Sequence, residues 1–262
     1  MENNEITEET REHYEDLISE VGEQYFNKRW MSNPVARSHY HQTVKAINHI
    51  LVRCPQDLDV LEVGSGPGTW TNVLLEVSRT LKVFDISSEF LKVMKHKYQS
   101  ESRVRDFICG DFVEDSARLN GEQFDMIFSG RALEYMSSKQ QVVENCYDHL
   151  KDNGYLVIIT KNPMWRDKRL SKKDNEGIHR AQIYWKDLSS MFYEQGFEDV
   201  KVLPAAMGSY HFPLNNRAGA CISDLVFKFT FKKPMNESID ALTESYLIIG
   251  RKAVNTKNVV KL

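Results

Sequence analysis

The sequence lacks the features that mark several broad classes of protein. Its four cysteines lie far apart with no C-x-x-C pair, which argues against a disulfide framework or a zinc site. No apolar run approaches the ~20 residues of a membrane span, and eight acids against one arginine in the first twenty residues are the opposite of a signal peptide. A net charge of −3 gives no overall attraction to nucleic acid or to an anionic membrane. We therefore expect a cytoplasmic protein that binds no nucleic acid, holds no metal and makes no stable membrane insertion.

Three closely spaced glycines, Gly64, Gly66 and Gly68, follow the apolar stretch 58–63. Behind them, apolar residues recur at helical spacing from Trp70 to Val77, so the segment predicts a strand, a tight turn and a helix. Glycine allows the turn a positive φ and lets a ligand approach the backbone closely. The free N–H groups at the start of the helix face the same ligand, so this corner is typical of a nucleotide site.

The spacing of the glycines helps to select the ligand. A dinucleotide fingerprint would place its third glycine at position 69, where this chain has Thr69, and the acidic Glu62 would repel a pyrophosphate. A cationic ligand meets no such repulsion. The apolar strand, the acid and the Gly-x-Gly-x-Gly run resemble the first motif of the class I S-adenosylmethionine-dependent methyltransferases. A dinucleotide-dependent enzyme, or a glycine turn without a ligand, remains the alternative.

Two further carboxylates stand where apolar stretches end, as predicted for the tips of two more strands. Asp85 follows the apolar run 81–84 at about the distance from the glycines where a nucleotide site holds a ribose hydroxyl. Asp111 and Phe112 close the third predicted strand, where the resemblance implies contact with adenine through the carboxylate and an apolar ring face. The resemblance also implies that the exit of a fourth strand, 124–128, lies beside the sulfonium. The implied cofactor-binding residues are Glu62, Gly64, Ser65, Gly66, Gly68, Asp85, Ile86, Asp111, Phe112, Ser129, Gly130 and Arg131.

The same resemblance implies an α/β fold: a seven-stranded, mostly parallel sheet with helices on both faces and an antiparallel last strand. Residues 1–53 are expected to form an N-terminal helical lid, whose first twelve residues are frayed and whose first helix carries an apolar stripe from Tyr14 to Tyr25. Residues 54–252 are expected to form the methyltransferase domain, with substrate-binding insertions at 161–183 and 204–243. A loose tail is expected at 253–262.

Several local signals fix the expected element boundaries. Asn33 and Pro34 indicate a helix start, and Ser87 is a predicted N-cap. Asn153 with Gly154 predicts the end of a helix that reaches Leu150, and 226–231 is ambiguous between helix and strand. Tyr25, Trp30, Tyr40, His39 and His41 are expected mainly to pack where the two N-terminal helices meet.

The reaction implied by the resemblance is methyl transfer, with O-methylation of a hydroxyl or carboxylate favoured. The acceptor would be a small molecule, a glycan or a modified natural-product peptide, and the basic stretch 161–173 tilts this towards an anionic one. A hydroxyl acceptor gains from a general base, for which the candidates are His211 and His179, with Tyr135 and Glu134 as weaker ones. N- or C-methylation of a metabolite or sugar, and a non-catalytic methyltransferase-like interaction protein, remain alternatives.

Overall fold

The structure, a computed structural model, describes residues 2–163, 182–208 and 217–254 of the chain. The strands of this part form one seven-stranded sheet in the order β3-β2-β1-β4-β5-β7-β6. Their bounds are β1 Leu58–Val63, β2 Ser78–Asp85, β3 Val104–Cys109, β4 Phe124–Gly130, β5 Leu150–Lys161, β6 Phe197–Met207 and β7 Thr243–Lys252. All neighbouring pairs are parallel except those of β7, which runs antiparallel to both β5 and β6. The predicted fold class, including the antiparallel last strand, is confirmed.

Helices cover both faces of this sheet. The α-helices are α1 Glu2–Val21, α2 Pro34–Leu51, α3 Thr71–Leu74, α4 Ser88–Lys97, α5 Lys139–Asp148, α6 Trp185–Gln195, α7 Arg217–Thr230 and α8 Glu237–Asp240. Short 3₁₀ turns occur at Gly22–Gln24, Ser116–Leu119 and Leu133–Tyr135, and a π-helical turn occurs at Asn27–Met31. Side chains alternate along β1, so that Val60 packs in the core under α2 and α7 while Leu61 packs in the core under α5 and α6. The central strands β1 and β4 are therefore buried along nearly their whole length, as expected for a sheet covered on both sides, whereas the edge strand β3 is largely exposed.

Most of the boundary signals in the sequence are confirmed. The Asn33 side chain accepts a hydrogen bond from the Ala36 N–H, and Ser87 caps α4 by accepting from the Phe90 N–H. Gly196 ends α6 with a φ of 98°. The ambiguous stretch 226–231 continues α7 as far as Thr230 and turns after it.

Three expectations about local structure are wrong. Helix α1 already begins at Glu2 instead of after a frayed segment, and its Thr7 hydroxyl donates a hydrogen bond to Asp111. Helix α5 ends at Asp148, and Asn153, with a φ of 64°, lies within β5 instead of stopping a helix. The helix after the glycines spans only Thr71–Leu74, because β2 begins at Ser78 and leaves no room for a longer one.

Two structural features bear on the expected class of protein. Within the described ranges, no helix is long and apolar enough to cross a membrane. Within the same ranges, no group of three or more histidine, cysteine, aspartate or glutamate side chains is placed to hold a metal ion.

Candidate active site

The glycine corner leaves β1 at Val63 and turns with three left-handed residues. Gly64, Gly66 and Gly68 have φ values of 69°, 53° and 76°, a region that other residues adopt only with strain. A Cβ atom at Gly64 would overlap the Ala132 side chain, and one at Gly68 would overlap Met94. At Gly66, by contrast, no atom of the described residues lies within 4 Å of the same position. The backbone at Gly66 is therefore open to a ligand, whereas Gly64 and Gly68 let Ala132 and Met94 pack closely against the turn.

Glu62 lies beneath this corner instead of in the open cavity. It is 1 % exposed, and its Oε2 accepts a hydrogen bond of 2.6 Å from the Thr71 hydroxyl. Burial, together with the negative charge of Asp85, raises its pKa to about 8. A neutral Glu62 therefore links β1 to α3 under the glycines, and its predicted role in cofactor binding stays a prediction.

Asp85 occupies the tip of β2, next to the glycine corner. Its Oδ2 accepts from the Gly66 N–H at 2.8 Å, and its Oδ1 accepts from the Ser87 N–H at 2.9 Å. Burial raises the pKa of the carboxyl to about 6, although both N–H groups act in the opposite direction. The carboxylate thus orients the open backbone of Gly66 and also lines the cavity in front of it.

Asp111 occupies the tip of β3 and is held from two sides. Its Oδ1 accepts from the Val113 N–H at 2.9 Å, and its Oδ2 accepts from the Thr7 hydroxyl of α1 at 3.0 Å. The neighbouring Phe112 is 3 % exposed and packs edge-on against Phe84, with ring centroids 5.3 Å apart. The N-terminal helix therefore contacts the same carboxylate for which the sequence predicts a role in adenine binding.

A cavity of about 370 Å³ opens at these strand tips. Of the predicted cofactor residues, those that line it are Gly64, Ser65, Gly66, Asp85, Ile86, Asp111, Phe112, Gly130 and Arg131. Glu62, Gly68 and Ser129 lie behind this lining. The volume is within the range of ~300–1,000 Å³ typical of small-molecule sites.

The N-terminal helices supply the opposite wall of the cavity. Thr7, Thr10, His13, Tyr14, Leu17 and Val21 of α1 line it, and so do Tyr25, Lys28, Arg29 and Trp30. The Tyr14 ring packs against Tyr135, with centroids 5.4 Å apart, and against Phe90 at 5.7 Å. Trp30 packs edge-on against Trp70 at 5.3 Å, and Trp70 donates a hydrogen bond from Nε1 to the Gly130 carbonyl. Tyr25 and Trp30, for which the sequence predicts mainly a packing role, thus also line the cavity.

Tyr135 and Glu134 are the predicted catalytic candidates among the described residues, since His211 and His179 lie outside them. Burial and the charge of Glu134 raise the pKa of Tyr135, although a hydrogen bond with Tyr14 acts against this. Its hydroxyl is therefore protonated near neutral pH. Such a group can donate a hydrogen bond to a ligand, but it is a poor proton acceptor.

Arg131 joins the cavity to a buried ionic cluster. Its φ of 66° is unusual for a residue with a side chain. Its Nε lies 3.1 Å from Glu134 Oε1, and its Nη1 lies 3.2 Å from Glu244 Oε2. Burial would raise the pKa of Glu244, but the Arg131 guanidinium holds it below the ordinary 4.5. Both carboxylates are almost fully buried, and Arg131 forms an ion pair with each of them.

Two more titratable side chains extend this cluster beyond the tips of β5 and β6. Burial, reinforced by Arg131, lowers the pKa of Lys161. Burial also lowers the pKa of His39, which is therefore neutral near pH 7 and makes a hydrogen bond to the Met207 backbone. The His39 Nε2 and the Ser245 hydroxyl are buried with no hydrogen-bond partner among the described residues. Sequence reasoning missed Lys161, Glu244 and Ser245 as a group because no local motif connects them.

The comparison with known families agrees with this geometry. Residues 61–158 match a family model described as a methyltransferase domain. The match begins in β1 and ends in β5, so it contains the glycine corner, both strand-tip carboxylates and Arg131.

Two curated relatives are similar over parts of the chain. A malonyl-[acyl-carrier protein] O-methyltransferase of Priestia megaterium is 27 % identical over 148 residues, which are 53 % of this chain and 52 % of the relative. A mitochondrial ubiquinone biosynthesis O-methyltransferase of Rattus norvegicus is 26 % identical over 109 residues, 40 % of this chain and 31 % of the relative. The chain thus spans about half the length, or less, of these curated relatives.

Solved structures share the fold over most of the chain. A magnesium protoporphyrin IX methyltransferase from Synechocystis, solved with S-adenosylhomocysteine, has a TM-score of 0.62 and 12 % identity and covers 95 % of this chain and 100 % of its own. An N-methyltransferase from Bradyrhizobium japonicum, solved with the same ligand, has a TM-score of 0.58 and 15 % identity, covering 91 % and 98 %. At such low identity, these likenesses show the fold alone.

Proposed function

Because residues 61–158 form a class I S-adenosylmethionine-dependent methyltransferase domain, we propose that the protein is an enzyme that methylates an oxygen atom of its acceptor. S-adenosylmethionine supplies an electrophilic methyl group when it is bound. The observation that carries the proposal is the cavity at the strand tips, where open Gly66 backbone meets the two carboxylates Asp85 and Asp111.

The lining of this cavity fits an adenosyl sulfonium compound. Asp85 can accept hydrogen bonds from ribose hydroxyls, and Asp111 can accept from an exocyclic amine beside the Phe112 ring. Two carboxylates favour a cationic ligand over a pyrophosphate. The bare position in front of Gly66 leaves room for the ligand to touch the backbone.

The acceptor is proposed to carry an ionised or ionisable oxygen. The names of the curated relatives describe O-methyltransferases, one acting on a malonyl group and one in ubiquinone biosynthesis. Lys28 and Arg29 line the cavity, which supports an acceptor with negative charge. A carboxylate needs no base, whereas a hydroxyl would need one that the neutral Tyr135 supplies poorly. A carboxylate of a small molecule, a glycan or a modified natural-product peptide is therefore the favoured acceptor.

Binding of S-adenosylhomocysteine tests the cofactor part of the proposal. Asp85→Asn should weaken binding by about tenfold or more, because a charged acceptor is lost. Asp106→Asn is the matched control, since Asp106 lies on β3 with its side chain 59 % exposed and pairs only with Lys82. Calorimetry on both variants, with thermal melting to verify folding, measures the difference. Equal affinity of the unaltered protein and of both variants would contradict the proposed contact between the ligand and Asp85.

The pH dependence of the same binding has a definite sign. The folded-state pKa of Asp85 is raised from 3.8 to about 6, so the carboxylate form prevails only above about pH 6. A ligand that donates hydrogen bonds to it should bind more tightly as the pH rises through this value. Asp85→Asn should remove this dependence and Asp106→Asn should retain it.

Methyl transfer itself is tested with a panel of carboxylic acids, phenols and amines, with mass spectrometry to detect the added methyl group. Transfer only to amines would contradict the oxygen acceptor while leaving the cofactor assignment intact.

A further inference from the structure

Helix α7 has two apolar faces, and within the described part of the chain only one of them packs against other elements. Its inner face consists of Gly219, Ala220, Ser223 and Phe227, which are buried. Ser223 donates a hydrogen bond to the Met207 carbonyl, and Gln42 of α2 donates to both Ser223 and Asp224. The inner face is thus fixed on α2 and β6 by packing and by hydrogen bonds.

The outer face of the same helix is an apolar stripe, which we define as Ala218, Cys221, Ile222, Leu225 and Phe229. These positions follow the i, i+3, i+4, i+7, i+11 pattern of one helix face. Leu225 is 57 % exposed and Phe229 is 64 % exposed, while Ile222 is half-buried. Single exposed apolar side chains are ordinary, but a contiguous row along one helix indicates an interaction surface.

Basic side chains gather along one side and at the carboxyl end of the stripe. Lys228, Lys232 and Lys233 are exposed there. Lys45 and Lys232 lie over the Phe231 ring, with their ammonium groups 4.8 and 5.4 Å from its centroid. His49 packs against the same ring. Burial lowers the pKa of His49, and the nearby charges of Arg53 and Lys232 lower it further. We call Lys45, Arg53, Lys228, Lys232 and Lys233 the basic collar.

Among the residues that the structure describes, acidic groups are few around the stripe. Asp224, the acid on α7, is tied inward by hydrogen bonds from Ser38 and Gln42. Glu237 of α8 lies farther along the chain and pairs with Lys186 at 3.7 Å. The described surface therefore combines exposed Leu225 and Phe229 with net positive charge, although the whole chain carries a net charge of −3.

We propose that the outer face of α7 docks on the surface of an anionic lipid bilayer, with the apolar stripe in the headgroup region and the basic collar on lipid phosphates. A helix with this distribution of apolar and basic side chains lies in the plane of a membrane interface without spanning it. A second copy fits less well, because the described residues of this face offer few acidic partners to the basic collar of another copy. A single convex helix also offers less than the ~800 Å² per partner of a standard protein interface, whereas a bilayer needs no matching shape.

Co-sedimentation with vesicles tests the proposal. The full chain should bind vesicles that contain phosphatidylglycerol and phosphatidylcholine, bind pure phosphatidylcholine vesicles far less, and be released by high salt. The double variant Leu225→Ser, Phe229→Ser should lower the partition coefficient by about tenfold or more, because it removes the largest inserted side chains. Lys228→Glu with Lys232→Glu should abolish the preference for the anionic lipid.

Tyr193→Ser provides the matched control. Tyr193 is 60 % exposed on α6, which packs on the opposite face of the sheet, so this variant should bind vesicles as the unaltered chain does. Thermal melting verifies that each variant is folded. Equal binding to neutral and anionic vesicles, or unchanged binding after the Leu225 and Phe229 substitutions, would overturn the proposal. A dimer in light scattering that those substitutions dissociate would also overturn it, since the face would then belong to a second copy.

Discussion

The two halves of the sheet build their sites in different ways. On the β1–β4 side, the cavity is formed by turns that directly follow strands, and backbone N–H groups of Gly66 and Ser87 fix the carboxylate of Asp85. On the β5–β7–β6 side, the polar cluster is formed by side chains from distant parts of the chain, with Arg131 paired to Glu244 across 113 positions. The first arrangement depends on local backbone geometry, whereas the second depends on long-range charge pairing. The two halves should therefore respond to substitution in different ways.

Removal of Arg131 is expected to give the largest effect. Arg131→Met leaves Glu134 and Glu244 buried without their cation, which should cost about 3–5 kcal/mol of unfolding free energy near neutral pH. Arg251→Met is the matched control, because Arg251 pairs with Glu198 and Asp199 at the surface and should lose only ~0–1 kcal/mol. Urea unfolding measures both. Similar losses in the two variants would contradict the importance of the buried cluster.

The sign of the pH dependence sharpens this test. The folded-state pKa of Glu244 is depressed below 4.5, so the carboxylate contributes stability above that value and loses it as the pH falls through the folded-state pKa. Without Arg131, burial is opposed only by the weaker attractions of His39, Lys161 and Arg29, so the pKa of the Glu244 carboxyl rises. The deficit of Arg131→Met should therefore be largest at about pH 8 and should shrink towards about pH 5.

The glycine corner should separate stability from ligand binding. Gly64→Ala adds a strained φ and an overlap with Ala132, which together should cost roughly 2–5 kcal/mol. Gly66→Ala adds only the strain, about 1–2 kcal/mol, but it places a methyl group in the open space before the backbone and should weaken binding of S-adenosylhomocysteine by about tenfold or more.

Gly121→Ala supplies the reference for strain alone. Gly121 has a φ of 75°, and no atom of the described residues lies within 4 Å of its would-be Cβ, yet it lies outside the cavity lining. Calorimetric binding and thermal melting of the three variants would show whether Gly66 differs from Gly121 in affinity. If the two variants bind the ligand equally well, the open backbone at Gly66 has no role in binding.

The smallest expected effect concerns the N-terminal helix. Thr7→Val removes the hydrogen bond to Asp111 and should destabilise the docked helix by about 1 kcal/mol. Thr10→Val is its counterpart on the same helix, because the Thr10 hydroxyl is buried and has no hydrogen-bond partner in the described ranges. That substitution should be neutral or stabilising. Hydrogen exchange of the α1 amides compares the two, and equal protection would show that Thr7 does not fasten the helix.

The sequence predicted the first half of the molecule better than the second for a physical reason. Glycines that need positive φ, and acids at the ends of apolar runs, are local signals, so Gly66, Asp85 and Asp111 could be placed before the structure was known. The ion pairs of Arg131 and the buried position of His39 depend on how β7 inserts between β5 and β6. No spacing in the sequence carries that information. The basic collar beside the outer face of α7 could not be predicted either. The net charge of −3 sums these basic side chains with acidic ones elsewhere in the chain.

The packing of Trp30 against Trp70 has a practical consequence. Both indoles line the cavity, Trp30 on the N-terminal wall and Trp70 beside the glycine corner. Trp70 donates a hydrogen bond to the Gly130 carbonyl. A molecule that binds in the cavity beside them changes the polarity around both rings at once. The chain thus carries its own optical reporter, and intrinsic fluorescence can follow titration and stopped-flow mixing without any added dye.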